Sequence, residues 1–317
     1  MSIPQLRKGR QLDIPVALIT TVTVIGLILL LGIPVAKLIG IGVSERGLAA
    51  ITQSFGANVD TLVNTLVLGL CVGIVGTFIG FVTAFAQVFL TFPGKKLLHW
   101  VTLLPTISPP FATATAIITL FGKRGIITYG IFGIENNIYG LVGLVIVLSL
   151  TFAPVAYLNI RGMMENFDNS LFEASATLGA KPLSTLMKVT IPMVVPAMLA
   201  SFLVLFVEGI ADLANPLVLG GDFRVLASQI YFAVAGSGDI ASAAGVALVL
   251  LLPALTVFAV QKYWSNRKSV ITVTGKPVGS LKEITAPSVK IPMLIPVYGW
   301  IVFVIVVYMT LFVGSFV

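Results

Sequence analysis

Catalysis or metal binding would need clustered reactive side chains, and this 317-residue sequence has few candidates for such a cluster. Its single cysteine, Cys71, and single histidine, His99, exclude a disulfide framework and a His/Cys metal cluster built within the chain. No Gly-Lys pair is followed by Ser or Thr or preceded by Gly at the spacing of a phosphate-binding loop. The sequence therefore predicts no catalytic residue, no metal site and no cofactor of its own.

Glu208 places a carboxylate inside a long apolar run. Such a group is costly at membrane depth and faces a cavity or a partner. Asp212 and Asn215 follow at i+4 and i+7, so we expect all three side chains on nearly one helical face. Two interpretations remain open: a pathway or gate region near the outer face, or a polar contact that holds helices together.

The unusually apolar composition of the chain indicates which structural elements carry these residues. The chain is 57% hydrophobic and only 10% charged, with a mean hydropathy of +1.07. A soluble domain carries about a quarter charged residues, so this chain lacks the polar side chains to cover a water-facing surface. The apolar residues come in blocks of roughly 20, the length of a bilayer-spanning helix. The predicted fold class is an all-α polytopic membrane protein.

Seven apolar runs are long enough to be candidate spans. They cover approximately residues 14–38, 62–90, 98–121, 138–160, 193–213, 241–260 and 293–316. The third contains prolines at positions 105, 109 and 110, for which we expect a kink.

The distribution of basic residues predicts the orientation of these spans. With the N-terminus in the cytoplasm, 14 of the 19 Lys and Arg residues lie in cytoplasmic segments. Those on the outside are Lys37, Arg46, Lys123, Arg124 and Arg224. Because cytoplasmic loops are enriched in Lys and Arg, this is the expected topology. The net charge of +7 then reflects topology, and nucleic-acid binding is not needed to explain it.

Residues 161–192, which we call the knuckle, are then cytoplasmic and predict two short helices joined by a tight turn. Ser170 followed by Glu173 is a capping box, which predicts a helix from about residue 171. Gly179 is placed to end that helix, and Pro182 suits the first turn of a second one. A helix of about two turns is unstable alone in water, so it needs support from the membrane helices or from another protein.

The spacing of the knuckle resembles the EAA motif of ABC importer permeases, EAA-x3-G-x9-I-x-L-P. The residues at the motif positions are Glu173, Ala174, Ser175, Gly179, Ile191 and Pro192. Ser175 replaces the second Ala, Val189 replaces Ile, and Ile191 replaces Leu, which are mild departures. The resemblance implies the type I fold of six core spans, here with a seventh apolar segment, and a knuckle that docks on an ATPase.

The same resemblance implies a set of partners. A cytosolic ABC ATPase dimer would hold ATP and Mg²⁺, a periplasmic binding protein would deliver the solute, and a second permease half or second copy would complete the pathway. The protein would lie in the lipid bilayer of the cytoplasmic (inner) membrane and bind no nucleic acid.

The stretches 208–236 and 261–277 are further similar to iron(III) importer permeases, which favours iron as the solute. Permeases for phosphonate, thiamine, sulfate or polyamine, and an ion-coupled secondary transporter, are the alternatives. The predicted parts are an N-terminal span and outer loop (1–60), the permease core (61–265), a basic cytoplasmic linker (266–292) and a seventh span (293–317). The last is either the first helix of a second half or the seventh span of a permease that dimerises.

Overall fold

The computed structural model describes residues 14–267 and 284–316, and within those ranges all regular structure is helical. In chain order the helices are α1 (Pro15–Gly42), α2 (Glu45–Phe55), α3 (Val59–Phe89), α4 (Lys95–Ile107), α5 (Pro110–Phe121), α6 (Leu141–Glu165), α7 (Asn169–Thr177), α8 (Pro182–Ala211), α9 (Ala214–Leu219), α10 (Leu226–Gly236), α11 (Ile240–Arg267) and α12 (Pro287–Gly314). The predicted all-α membrane fold is confirmed.

The core of the bundle is formed by α3, α6 and α8, which pack against one another along most of their lengths. Small residues on α3 allow this close packing. A Cβ on Gly80 would come within 2.5 Å of the Ala156 Cβ and 2.8 Å of the Tyr157 backbone nitrogen. No side chain larger than hydrogen fits there without a backbone shift, so Gly80 fixes the separation of α3 and α6 near one end of the bundle.

The third predicted span is not one continuous helix. It consists of α4 and a second arm, Phe111–Ile131, which contains α5 and a π-helical segment at Ile126–Ile131. The two arms are bent by 111° at a short break. Pro109 and Pro110 explain the break, because neither can donate a backbone hydrogen bond and each restricts the residue before it. Among the described residues, six helices are long and apolar enough to cross a membrane, or seven if this bent pair counts as one span.

Helix α12 packs on α3, α4 and α5 of this same chain. The Tyr298 hydroxyl donates to the Pro93 carbonyl at 3.0 Å, and the Trp300 indole donates to Thr102 Oγ1 at 3.2 Å. Val304 is fully buried in the main core. Most of the predicted basic linker, residues 268–283, and the N-terminal basic cluster lie outside the described residues.

Unlike α12, helix α1 is scarcely buried against the rest of the bundle. None of its most apolar 18-residue stretch is buried, and only its C-terminal half packs, against α11. It therefore contributes little to the core that positions the knuckle.

The two ends of the bundle bring together segments that are distant in sequence. At one end, the knuckle end, Phe89 contacts Phe172 and its carbonyl accepts the N–H of Ile284 at 2.8 Å. At the other, the far end, the Gly140 N–H donates to the Leu219 carbonyl at 2.9 Å. Loops predicted to share one side of the membrane are thus grouped at the same end.

Candidate functional site

Helix α7 begins two residues earlier than predicted, and its cap is a different residue. The N-cap is Asp168, whose Oδ1 accepts the Ser170 backbone N–H at 2.9 Å. Ser170 is therefore inside the helix and exposed, and the predicted Ser170–Glu173 capping box is wrong. Asp168 takes the role because its carboxylate reaches the free N–H groups of the first turn and also suits the positive end of the helix dipole.

Gly179 ends α7, as its position predicted. Its φ of +74° is left-handed, where only glycine is free of a Cβ clash. The Ala180 N–H donates to the Ser175 carbonyl and the Gly179 N–H to the Ala176 carbonyl, each at 3.0 Å. These two bonds form a Schellman motif, which satisfies the last carbonyls of the helix and fixes the direction of the turn.

The second helix of the knuckle, which we call its second leg, begins at Pro182, as predicted. It does not end before the membrane span but continues into it. It is the first part of α8, a single helix of 30 residues. At 1.5 Å per residue α8 is roughly 45 Å long, which exceeds the hydrocarbon thickness of about 30 Å. One end of α8 therefore projects beyond the bilayer, and the predicted span 193–213 is the later part of this longer helix.

A π-helical turn at Leu186–Thr190 explains how α8 passes through Pro192. Proline has no N–H and its ring clashes with the preceding turn, so the helix widens there. The Ile191 N–H accordingly bonds to the Leu186 carbonyl, five residues back. Ser175 and Thr185 join the two legs through their hydroxyls, 2.7 Å apart.

The two faces of α7 are different in character. Phe172 and Ser175 are half-buried against the bundle, whereas Glu173, Ala174 and Leu178 are exposed. Leu178, the C-cap residue of α7, is 86% exposed. Glu173 Oε1 accepts from the Asn169 amide at 2.9 Å, which holds the carboxylate along the helix surface.

Apolar exposure continues from α7 onto the second leg. Leu183 and Met187 are 50% and 58% exposed on the part of α8 nearest the turn. A cluster of exposed apolar side chains beside a carboxylate indicates a surface that another protein covers. The knuckle thus offers a partly apolar surface of the kind suited to docking.

A polar cluster that the sequence did not predict links α4 to the start of the knuckle. His99 Nδ1 lies 2.7 Å from Tyr157 Oη, and Arg161 Nη1 donates to both atoms at 3.1 and 3.2 Å. Arg161 Nε also donates to Glu165 Oε1 at 2.7 Å. The sequence marks His99 only as the single histidine of the chain. Its partners are about 60 residues away in the sequence, so no spacing signal could have indicated the cluster.

At the far end, Glu208, Asp212 and Asn215 do not share a helical face. Helix α8 ends at Ala211, and Asp212 lies at its C-cap. Asp212 Oδ1 accepts the Asn215 backbone N–H at 2.9 Å and the Asn215 side-chain amide at 3.1 Å. The helix is interrupted between Ala211 and Ala214, where α9 begins, so the predicted common face is wrong.

Burial distinguishes the three far-end residues. Asn215 is fully buried and Glu208 is exposed on the surface of α8. Burial raises the pKa of Asp212, although the hydrogen bonds from Asn215 partly offset that effect. Asp212 and Asn215 therefore act on each other as a structural pair, and only Glu208 presents its carboxylate outward.

The family assignment comes from residues 76–270, which match the model of the binding-protein-dependent transport system inner membrane component family. The chain belongs to this family. The matched range includes the whole knuckle and Glu208, so both stretches discussed above lie within the domain that defines these inner membrane components.

Two relatives in this transport family are ferric transport system permeases. The chain is 34% identical over 268 residues to FbpB of Actinobacillus pleuropneumoniae, which covers 82% of this chain and 39% of that protein. It is 35% identical over 285 residues to the putative FbpB 1 of Haemophilus influenzae, covering 86% and 44%. The chain thus spans less than half the length of these relatives.

A solved structure of the same fold is a bacterial ABC transporter involved in import of the polysaccharide alginate. The TM-score is 0.64 at 14% identity, and the match covers 81% of this chain and 96% of the other. The expected ABC importer transmembrane fold is therefore confirmed.

Proposed function

We propose that this chain is a permease component of an ATP-driven ABC importer and that its solute is ferric iron. The observation that carries the importer assignment is the exposed apolar face of the knuckle, held rigid by the Asp168 cap and the Gly179 turn. Ferric iron is supported by the two FbpB relatives, each at about one-third identity.

The partners of the proposed importer follow from its parts. A cytosolic ATPase dimer, which binds ATP and Mg²⁺, covers Glu173, Ala174 and Leu178. A binding protein on the opposite side of the membrane delivers the solute, as the family description implies. A second permease half or a second copy completes the pathway. The chain itself hydrolyses no ATP. It lies in the inner membrane with its N-terminus on the cytoplasmic side.

A co-purification experiment tests the docking surface. Leu178→Asp places a charge in the proposed interface, so it should abolish recovery of the ATPase with the permease, because a buried unpaired charge is strongly unfavourable. Ile134→Asp is the matched control, since Ile134 is also an exposed apolar residue but lies between α5 and α6, away from the knuckle. Equal recovery of the ATPase with both variants would refute the assignment.

The pathway is proposed to run along the face of α8 that carries Glu208. A carboxylate exposed toward lipid would be costly, so this face meets water or the partner half. Glu208→Gln should lower uptake of radiolabelled ferric iron without loss of protein from the membrane. The competing interpretation, a polar contact between helices, predicts instead that Glu208→Gln reduces the amount of folded protein and that the remaining protein transports normally.

A further inference from the structure

A row of phenylalanine rings connects the knuckle to the membrane core. Phe81, Phe85 and Phe89 lie one turn apart on α3, with ring centroids 6.0 and 5.2 Å apart. Beyond the end of α3 the row continues onto the knuckle. The Phe89 ring is 5.6 Å from that of Phe172 and 6.5 Å from that of Phe167.

The three rings at the end of the row form a closed cluster. Phe167 and Phe172 lie 6.4 Å from each other, so each ring contacts the other two. All three pairs are tilted, at distances where aromatic rings attract. Phe89 and Phe167 are buried, whereas Phe172 is half-buried because it belongs to the exposed helix α7.

Helix α7 has few other attachments to the bundle. None of its residues is fully buried, and Phe172 is its large inward-facing aromatic side chain. The Ser175–Thr185 hydrogen bond joins α7 to the second leg of the knuckle and leaves α3 uncontacted. A force applied to the outward face of α7 therefore reaches α3 through the Phe172 ring.

The part of the row that lies on α3 is fixed by close packing and by a backbone hydrogen bond. Near Phe81, the absence of a side chain at Gly80 lets α3 pack directly on the backbone of α6. The Phe89 carbonyl also accepts the N–H of Ile284, just before α12. Phe89 is thus the point where α3, the knuckle and the segment leading to α12 meet.

We propose that Phe172 is a positioning residue that transmits movement of α7 to α3 and α12 through Phe89. This inference rests on the proposed function, because it assigns the internal route by which an ATPase docked on the knuckle drives the membrane helices. The ring is suited to the role because it is large and has only two side-chain torsions. Few rotamer changes are therefore available to absorb a displacement of α7.

The first test measures coupling in the assembled transporter. Phe172→Ala should leave the ATPase bound but lower solute uptake per ATP hydrolysed by about 5–150-fold, the usual range for coupling between two sites. Phe172→Leu, which keeps an apolar side chain of similar size, should restore much of that ratio. Phe121→Ala is the matched control, because Phe121 is half-buried and pairs with Phe303 at 6.5 Å, far from the knuckle.

The outcomes separate this inference from the proposed function. If wild-type protein binds no ATPase, the proposed function is wrong. If wild-type and Phe172→Ala bind ATPase equally and transport the same solute per ATP, the proposed function stands and the role of Phe172 is refuted. A role confined to folding would lower protein yield in Phe172→Ala and Phe121→Ala alike while leaving the ratio unchanged in both, which also refutes the inference.

A second measurement needs no ATPase and uses the full chain in lipid nanodiscs. Hydrogen exchange of the α7 amides should be faster in Phe172→Ala than in wild type, because the Phe172 ring packs on Phe89 of α3. Exchange should be unchanged in Phe121→Ala, because Phe121 pairs with Phe303 instead. Phe172→Leu should lie between the two. Unchanged exchange in Phe172→Ala would show that α7 does not depend on the aromatic cluster, and the route through Phe89 would be rejected.

Discussion

The knuckle and the far-end polar segment both end a helix, but they do so by different means. Helix α7 ends because Gly179 adopts a left-handed backbone that closes a Schellman motif. Helix α8 ends because the Asp212 carboxylate accepts the Asn215 N–H and starts α9. The first turn is specified by the backbone of one glycine, and the second by a side chain that competes with the helix. The first leaves an exposed surface, and the second pairs a half-buried aspartate with a buried asparagine.

The largest effect that this comparison predicts is that of Gly179→Val. A β-branched residue at φ +74° is strained by roughly 1–2 kcal/mol or more, so the turn should change direction and carry Leu178 away from its partner. We expect membrane insertion to be retained and ATP-driven uptake to fall by about tenfold or more, within the range of coupling energies between sites.

Gly162→Val provides the control for that variant. Gly162 lies in the part of α6 that begins the knuckle, and a side chain there would meet open space. Uptake by this variant should remain near that of wild type. A similar loss of uptake in both variants would mean that the left-handed turn is not what matters.

The sequence predicted the Gly179 turn because the signal is local. Glycine before a proline-started helix has one good structural solution. The prediction of the N-cap of α7 was wrong, because Asp168 and Ser170 are both good N-cap residues and the choice between them depends on the geometry of the first turn. The prediction at Asp212 was also wrong, because an aspartate can continue a helix or cap the next one. The Phe89–Phe172 contact joins positions more than 80 residues apart, which no periodicity reveals.

The next effect concerns the far end. Asp212→Ala removes the acceptor of both Asn215 hydrogen bonds and leaves a buried amide without a partner. Hydrogen bonds to charged groups contribute about 1.5–3 kcal/mol, so thermal stability in detergent should fall measurably. Asp222→Ala, at an exposed aspartate in the same loop region, should have little effect. If the two variants are equally stable, the Asp212–Asn215 pair does not define this turn.

A smaller effect distinguishes the two candidate caps of α7. Asp168→Ala should destabilise the helix by about 1 kcal/mol through loss of the N-cap, and Ser170→Ala should change it little because Ser170 is exposed inside the helix. Hydrogen exchange of the α7 amides should accordingly be about fivefold faster in Asp168→Ala alone. The reverse order would restore Ser170 as the cap.

The central claim, that the outward face of α7 is covered by an ATPase, can be tested by site-directed crosslinking. Cys71 is the only cysteine, so Cys71→Ser gives a background in which Leu178→Cys or Ile134→Cys carries the sole photoactivatable label. In the assembled, transport-active complex, the label at position 178 should crosslink to the ATPase subunit and the label at position 134 should not. No crosslink to the ATPase from position 178 in an active complex would contradict the account.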